Sequence, residues 1–381
     1  MTVVSNVMDN PSAFWVVNSL FVFALSVFCA GVLIPQILLI SFRKRLFDVP
    51  DERKIHQGVV PRLGGIAFKP VVFFSVALAL GLNMLLGYGQ LLGNIGSESR
   101  PLAFGFCTIM MLYLVGMADD LIGIRYRAKF AIQIICGLLV IAGGLWINNL
   151  HGLLFIHALP EWIGYPITLF AVVFIINAIN LIDGIDGLAS GLCGVAMLFY
   201  GLVFFIIGEY IYALLAFATL GVLVPFFYYN VFGDPAKKNK IFMGDTGSLT
   251  IGMMTCILSL KLLNGFPVNP SMQQPNAFFL AYSPLIIPCF DVVRVYLHRV
   301  RNGKNPFLPD KNHIHHKMLA VGMRQRTVMI AIVLVSVCFT LCNILLSRYI
   351  NVTLLLILDI FIWILGNLWL TRRIHIAHSK L

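Results

Sequence analysis

Charged side chains make up only 11% of the 381 residues, against roughly 25% in soluble chains. No polar stretch is long enough to form a domain of its own, and the mean hydropathy is +0.91. These deficits exclude a soluble enzyme and a receptor with a single anchor. Also missing is any paired ligand spacing among the eight cysteines. Cys29, Cys107, Cys136, Cys193, Cys256, Cys289, Cys338 and Cys342 all lie inside apolar stretches and read as small buried hydrophobes. The first apolar run, from near Phe14, has only Asp9 before it and no basic segment, and it ends at Arg43-Lys44-Arg45 without a small-residue cleavage site. A retained helix is expected there, not a signal peptide. The net charge of +11 is spread in short patches between apolar runs, never as a surface, so nucleic acid is excluded as a partner and the cations read as topology signals.

What is present is apolar sequence in span-length pieces. A crossing needs about 20 apolar residues, and eleven candidates stand at approximately 14–42, 64–86, 101–118, 129–149, 163–182, 187–207, 210–230, 247–264, 277–298, 327–346 and 350–370. The expected fold is all-α, a polytopic integral membrane protein with about 11 transmembrane helices and a single domain over residues 1–381, embedded in the lipid bilayer. With the N-terminus outside, loops 43–63, 119–128, 183–186, 231–246 and 299–326 and the tail 371–381 fall in the cytoplasm and carry nearly all the Lys and Arg. Lys129 and Arg294 lie at the inner ends of spans, and only Lys69, Arg100, Lys261 and Arg348 fall elsewhere. That asymmetry places the C-terminus in the cytoplasm. Asp119, Asp120, Asp183, Asp186, Asp245, Asp291 and Asp310 gather on or near the same face, which defines a reaction side. A secondary transporter would instead place ionisable groups near the midplane, where only Asp359 stands.

Four segments carry the chemistry. Asp119 and Asp120 follow the third span directly. Helical neighbours diverge by about 100°, so the two suit different atoms, one a metal and the other a substrate phosphate or its proton; a solvated helix end is the alternative. Asn180-Leu181-Ile182-Asp183-Gly184-Ile185-Asp186-Gly187 reads as a short turn between two spans. Asp183 and Asp186 share a face if it is helical, the glycines allow close backbone approach, and two carboxylates this near lipid call for a cation or a donor-rich ligand. A purely structural turn is the alternative. Phe242-Met243-Gly244-Asp245-Thr246-Gly247-Ser248 precedes the eighth span, where Asp245 fits an N-cap or, by sidedness, an oxygen ligand for Mg²⁺. Phe242 fits an interfacial aromatic or a ring on which a base stacks.

Between the ninth and tenth spans, His313, His315 and His316 stand in a basic loop with no cysteine near. That favours contact with phosphate or a proton relay over zinc. In the first cytoplasmic loop, His56, Arg62 and their neighbours mix cations with Gly and Pro. Together with Arg125, Arg127 and Lys129 they offer positive charge for a diphosphate or a lipid phosphate.

As a set, Met117-Ala118-Asp119-Asp120, the Asn180–Gly187 segment, Phe242–Gly247 and His313-Ile314-His315-His316 resemble the polyprenyl-phosphate N-acetylhexosamine-1-phosphate transferases (glycosyltransferase family 4), in the same order and span context over roughly residues 43 to 320. The resemblance implies a bacterial inner-membrane enzyme that moves a sugar 1-phosphate from a UDP-N-acetylhexosamine to undecaprenyl phosphate, releasing UMP with Mg²⁺, or Mn²⁺ in its place. Such enzymes start lipid-linked cell-surface polysaccharides such as the O-antigen of lipopolysaccharide. It implies Asp245 as metal ligand, with Asp119 and Asp120 at the lipid phosphate and metal. Asp183, Asp186, Asn180 and Phe242 would line the nucleoside pocket, and His313, His315 and His316 would meet the sugar diphosphate. His56, Arg127 and Lys129 count with the substrate-binding residues, and assembly as a homodimer is compatible with the family. The His-Ile-His-His form and His56-Gln57-Gly58 resemble the N-acetylglucosamine branch more than the phospho-N-acetylmuramoyl-pentapeptide branch. The stretch from Asn230 to Phe242 is longer than in the latter and carries Lys237, Lys238 and Lys240, which sets Asn230 aside as a nucleoside contact. A lipid-linked transporter or flippase is the rival of a different class, and the one-sided carboxylates count against it.

Overall fold

The computed structural model describes residues 11–46, 60–89, 95–265, 275–303, 305 and 312–378. Among them the regular structure is helical, because lipid offers the backbone no partner and a helix satisfies its own N–H and C=O groups. In chain order the α-helices are α1 Pro11–Lys44, α2 Phe68–Leu85, α3 Ile95–Ile122, α4 Tyr126–Ala142, α5 Glu161–Ile182, α6 Leu188–Ile206, α7 Tyr210–Val231, α8 Gly244–Gly265, α9 Ala277–Tyr282, α10 Ile286–Arg301, α11 Ile314–Ala320, α12 Gln325–Leu346 and α13 Val352–His378. A 3₁₀ turn, Ser283–Leu285, joins α9 to α10 in one crossing-length unit. Ten segments among the described residues are long and apolar enough to cross a membrane, and the protein is multi-pass.

The fourth expected span, 129–149, differs. α4 has 17 residues, about 25 Å. It stops because Gly143 and Gly144 form its C-cap, Gly144 at φ +91° with its N–H on the Ile141 carbonyl at 2.8 Å. The chain then runs into a hairpin in which Leu150 N–H donates to His157 O and Leu159 N–H to Asn148 O. α4 still joins the two ends of the bundle. Lys129 at its start reaches Asp119 at the end of α3, while the Ala142 carbonyl accepts from Arg100 Nε near the start of α3.

α8 is the axis of the bundle, buried at every residue from Thr246 to Leu263. It tolerates this because its small hydroxyl residues bond back to their own helix, Thr250 to the Thr246 carbonyl and Thr255 to that of Ile251. α1 starts and α13 ends at opposite ends of the bundle. Trp15 stacks on Tyr210 at one end, while Lys317 donates to Thr371 at the other.

Three ionisable residues off the expected face find places here. Lys261 pairs with Glu98 and Glu209 at 2.8 and 3.2 Å at the end opposite the aspartates, where Tyr212 also donates to Glu98. Lys69 lies against Met110 Sδ and over the rings of Phe73 and Tyr113. Asp359 accepts from Asn343 Nδ2 at 2.9 Å, tying α13 to α12.

Candidate active site

The aspartate face is built where helix ends meet. α3 ends in Asp119 and Asp120, α8 begins at Gly244-Asp245, and α5 stops just before Asp183. Glycines let the backbones close. A Cβ on Gly116 would lie 2.5 Å from Thr246 Cα, and one on Gly65 would lie 2.0 Å from Gly247 N. Gly244 sits at φ +70°, and a Cβ there would meet the Arg62 carbonyl at 2.1 Å and Asp120 Oδ2 at 2.5 Å, so both conformation and space require glycine.

Asp120 uses both oxygens on the start of α8. Oδ1 accepts from Asp245 N–H at 2.8 Å, and Oδ2 accepts from Thr246 N–H at 2.8 Å and from its hydroxyl at 2.6 Å. The unpaired N–H groups of a first helical turn are thus satisfied by a residue of another helix, which frees the Asp245 side chain from capping. Asp245 Oδ2 stands 2.8 Å from Lys129 Nζ, which also lies 3.0 Å from Asp119 Oδ2. Asn180 Nδ2 reaches Asp245 Oδ1 at 3.2 Å and Ser248 Oγ at 2.8 Å. An open cleft of about 340 Å³ is lined by Arg62, Asp119, Asp120, Asp245 and the residues at the end of α3, Leu121, Ile122 and Gly123.

The second wall is the Asp183–Gly187 turn. Asn230 braces it, accepting from Gly187 N–H at 2.6 Å and donating to the Ile241 carbonyl at 2.8 Å, so both ends of its amide are structural. Lys240 Nζ donates to Asp186 Oδ2 at 2.5 Å, which gives the lysine-bearing stretch after Asn230 a role. Close protein surroundings, and then the like charges of Asp245 and Asp186, push the Asp183 carboxyl up to about 7, opposed by Arg62. The Asp183 side chain is itself solvent-accessible, so water offsets part of the desolvation and the neighbouring carboxylates are the more durable cause. Phe242 is half-buried at the rim, its backbone paired with Pro61 and Gly64.

The histidines sit behind this turn. His315 is 1% exposed, and neither ring nitrogen has a hydrogen-bond partner. A Cβ on Gly184 would fall 2.2 Å from its Nε2, so the ring rests directly on the turn. Burial, and then His316, hold the His315 imidazole down at about 3. His313 Nδ1 lies 2.8 Å from Asp291 Oδ2, and His316 is half-buried.

Of the residues singled out in the sequence, Asp119, Asp120, Asn180, Asp245 and Lys129 come together in one cluster. Asp183 and Asp186 form the adjoining wall, with His315 packed behind it and His313 stacked on His315. Arg127 is exposed and turned onto Tyr126, with its guanidinium 5.8 Å from the ring centroid. His56 lies outside the described residues. Sequence reasoning missed Ser248, and it left Asp291 and Arg294 without a role. An Asp one helical turn from an Arg was visible, but its link to the histidines was not.

Among the described residues no three His, Cys, Asp or Glu side chains form a ready-made metal cage. Two carboxylates do converge, those of Asp119 and Asp245, with the Lys129 ammonium between them. Mg²⁺ is commonly held by one or two carboxylates with substrate phosphates completing its shell. An oxygen-only pair with a cation already drawn to its focus therefore fits that ion.

Comparison with known proteins matches residues 102–263, from α3 to the end of α8, to the glycosyl transferase family 4 profile. A Bacillus subtilis relative described as a probable undecaprenyl-phosphate N-acetylglucosaminyl 1-phosphate transferase is 30% identical over 353 residues, 91% of this chain and 90% of its own length. Undecaprenyl-phosphate alpha-N-acetylglucosaminyl 1-phosphate transferases of Yersinia pestis and Escherichia coli K12 are each 31% identical, covering 78% and 76% of this chain and 76% and 74% of their own lengths.

Proposed function

The chain belongs to glycosyl transferase family 4, and on that footing we propose that it transfers N-acetylglucosamine 1-phosphate from the UDP-sugar to undecaprenyl phosphate, releasing UMP. The observation that carries this reading is the convergence of Asp119 and Asp245 on Lys129 at the common end of α3, α4 and α8. It supplies carboxylates for a metal and a cation for phosphate oxygens at one point beside an open cleft.

In this reading Asp245 and Asp119 hold Mg²⁺, with Mn²⁺ as a substitute. When bound, the ion offsets the charge of the diphosphate and of the departing UMP. Asp120, with both oxygens on the α8 amides, keeps Asp245 in place. The lipid phosphate arrives as a dianion that is already nucleophilic, and Lys129 and Arg62 orient it, with Arg127 at the approach. One of its oxygens attacks the β-phosphorus in line, and the bond from that phosphorus to the oxygen bridging the α-phosphorus breaks, so UMP leaves with the bridging oxygen. Asp183, Asp186, Asn180 and Phe242 line the nucleoside side. His313 and His316 face the sugar diphosphate, and His315 supports them from its seat on Gly184. His56 joins the substrate-binding residues. The excess of cations at the aspartate end supports a cytoplasmic active face in the bacterial inner membrane, with α4 as the eleventh crossing, the N-terminus outside and the C-terminus inside.

The test is UMP release by detergent-purified protein given undecaprenyl phosphate, Mg²⁺ and either UDP-N-acetylglucosamine or UDP-N-acetylmuramoyl-pentapeptide, with an EDTA control. Metal-dependent release with the first sugar alone is expected. Release with the second alone would move the protein to the sister branch, and silence with both would point to another UDP-sugar as donor or to the transporter reading.

A further inference from the structure

Asp291 is 0% exposed, in the middle of α10, and a carboxylate buried so completely needs partners for both oxygens. It has three. Oδ1 accepts from Arg294 Nη2 at 2.8 Å and from Ile314 N–H at 2.9 Å, and Oδ2 meets His313 Nδ1 at 2.8 Å. Arg294 Nη2 also donates to the Asn312 carbonyl. One turn of α10 thus grips three consecutive residues, 312 to 314, at the start of the histidine segment. An i,i+3 ion pair on a helix surface would explain none of this, because such a pair is solvated and contributes only a few tenths of a kcal/mol.

A carboxylate can only accept, so the ring nitrogen facing Asp291 must carry the proton. His313 is thereby fixed with Nδ1–H inward and Nε2 turned away from α10. Arg294 balances the charge, so the buried pair is neutral and the imidazole is held by a hydrogen bond inside a compensated group. The orientation is also passed on. The His313 and His315 rings lie nearly parallel, 9° apart with centroids 5.8 Å apart, and His315 rests on Gly184 of the Asp183–Gly187 turn.

We propose that Asp291, with Arg294, is a positioning residue that sets the tautomer and aim of His313 and, through the stacked His315, the seat of the Asp183–Gly187 turn. The inference rests on the transferase reading and deepens it. Asp291 touches no substrate. It acts through the imidazole, as a residue behind a ligating or reacting histidine commonly does, where its loss costs about 10- to 100-fold.

The experiment is a double-mutant cycle in the UMP-release assay on full-length protein. Asp291→Asn presents an amide where Nδ1–H needs an acceptor, and it is expected to lower kcat/KM for the UDP-sugar about 10- to 100-fold while leaving KM for the lipid phosphate unchanged. In a His313→Ala background the same change is expected to cost clearly less than in the wild type, because the effect that runs through the imidazole is already lost and only the contacts with Ile314 N–H and Arg294 remain. Full activity of Asp291→Asn, or losses that add in the double variant, would overturn the proposal. A second measurement needs neither turnover nor a folded Asp291 variant. The ¹⁵N histidine spectrum of the wild-type protein, with His313 assigned by its absence in His313→Gln, is expected to show Nδ1 protonated. An Nε2–H tautomer there would sink the inference. Wild-type protein silent with both UDP-sugars would count against the donor named above and not against this inference, leaving the tautomer to decide this one.

Discussion

Asp120 and Asp245 look alike in the sequence, but the structure gives them opposite phenotypes, which Asp120→Asn puts to the test. Three donors converge on the Asp120 carboxylate, two of them N–H groups of the first turn of α8. An asparagine keeps one acceptor oxygen and turns an NH₂ group on the remaining donors. The loss of one hydrogen bond to a charged acceptor costs about 1.5–3 kcal/mol, and the loss of negative charge at a helix N-terminus costs about 0.3–1 kcal/mol. The total is about 2–4 kcal/mol, taken from the central helix. Asp245→Asn gives up an ion pair with Lys129 whose side chains are 27% and 24% exposed, and a pair that open contributes about 1 kcal/mol or less. At about 2 °C per kcal/mol for a chain of this size, thermal unfolding in detergent should fall by about 4–8 °C for Asp120→Asn and by about 2 °C or less for Asp245→Asn, while turnover is abolished in the second. An Asp120→Asn variant that melts with the wild type, or an Asp245→Asn variant that melts lower than Asp120→Asn, would refute this division of roles.

Asp183 is held at about 7, so its carboxylate form is lost as pH falls through neutrality. kcat/KM for the UDP-sugar should rise through about pH 7, and Asp186→Asn, by removing a like charge, should move that limb to lower pH; an unmoved limb would assign it elsewhere. His315, at about 3 in the fold against an ordinary 6.5 when unfolded, takes up its proton more readily in the unfolded chain. Stability should therefore be full above about pH 6.5 and decline as pH falls toward 3, and His315→Phe should flatten that decline in thermal melts. Gly184→Ala would put a methyl 2.2 Å from His315 Nε2 and displace the turn. KM for the UDP-sugar should rise about 10- to 100-fold with KM for the lipid phosphate unchanged, and equal changes in both would show a general unfolding of the site.

The helical, multi-span fold was legible because lipid leaves the chain little choice, and the gathering of Asp119, Asp183 and Asp245 at one end could be read from which loops share a side. Hydropathy does not register caps, so the apolar residues after Gly143-Gly144 read as more span when they begin a hairpin. The separate tasks of Asp119 and Asp120 were not legible either. A 100° divergence says that neighbours differ, but only the packing of Gly116 against Thr246 says which one meets α8. Lys129 was expected at the lipid phosphate, and its seat between two carboxylates depends on the α3–α4 turn. Asp291 could be read only as an aspartate on the reaction side one helical turn from Arg294, since its partners in the histidine segment lie 22 and 23 residues further on, across a loop.

The cap on α8 also has a consequence in time. Asp120 and the amides it satisfies are 125 residues apart, which at about 5–20 residues per second of synthesis is an interval of about 6–25 s. For that interval α3 is already made, with its two terminal carboxylates at the membrane boundary and no helix to receive them, and the amides of α8 have their acceptor waiting as soon as they emerge. The aspartate cluster is therefore completed late, when the start of α8 emerges. A nascent chain stalled before Gly244 would hold Asp119 and Lys129 but no Asp245, and the proposed metal site would lack its second carboxylate.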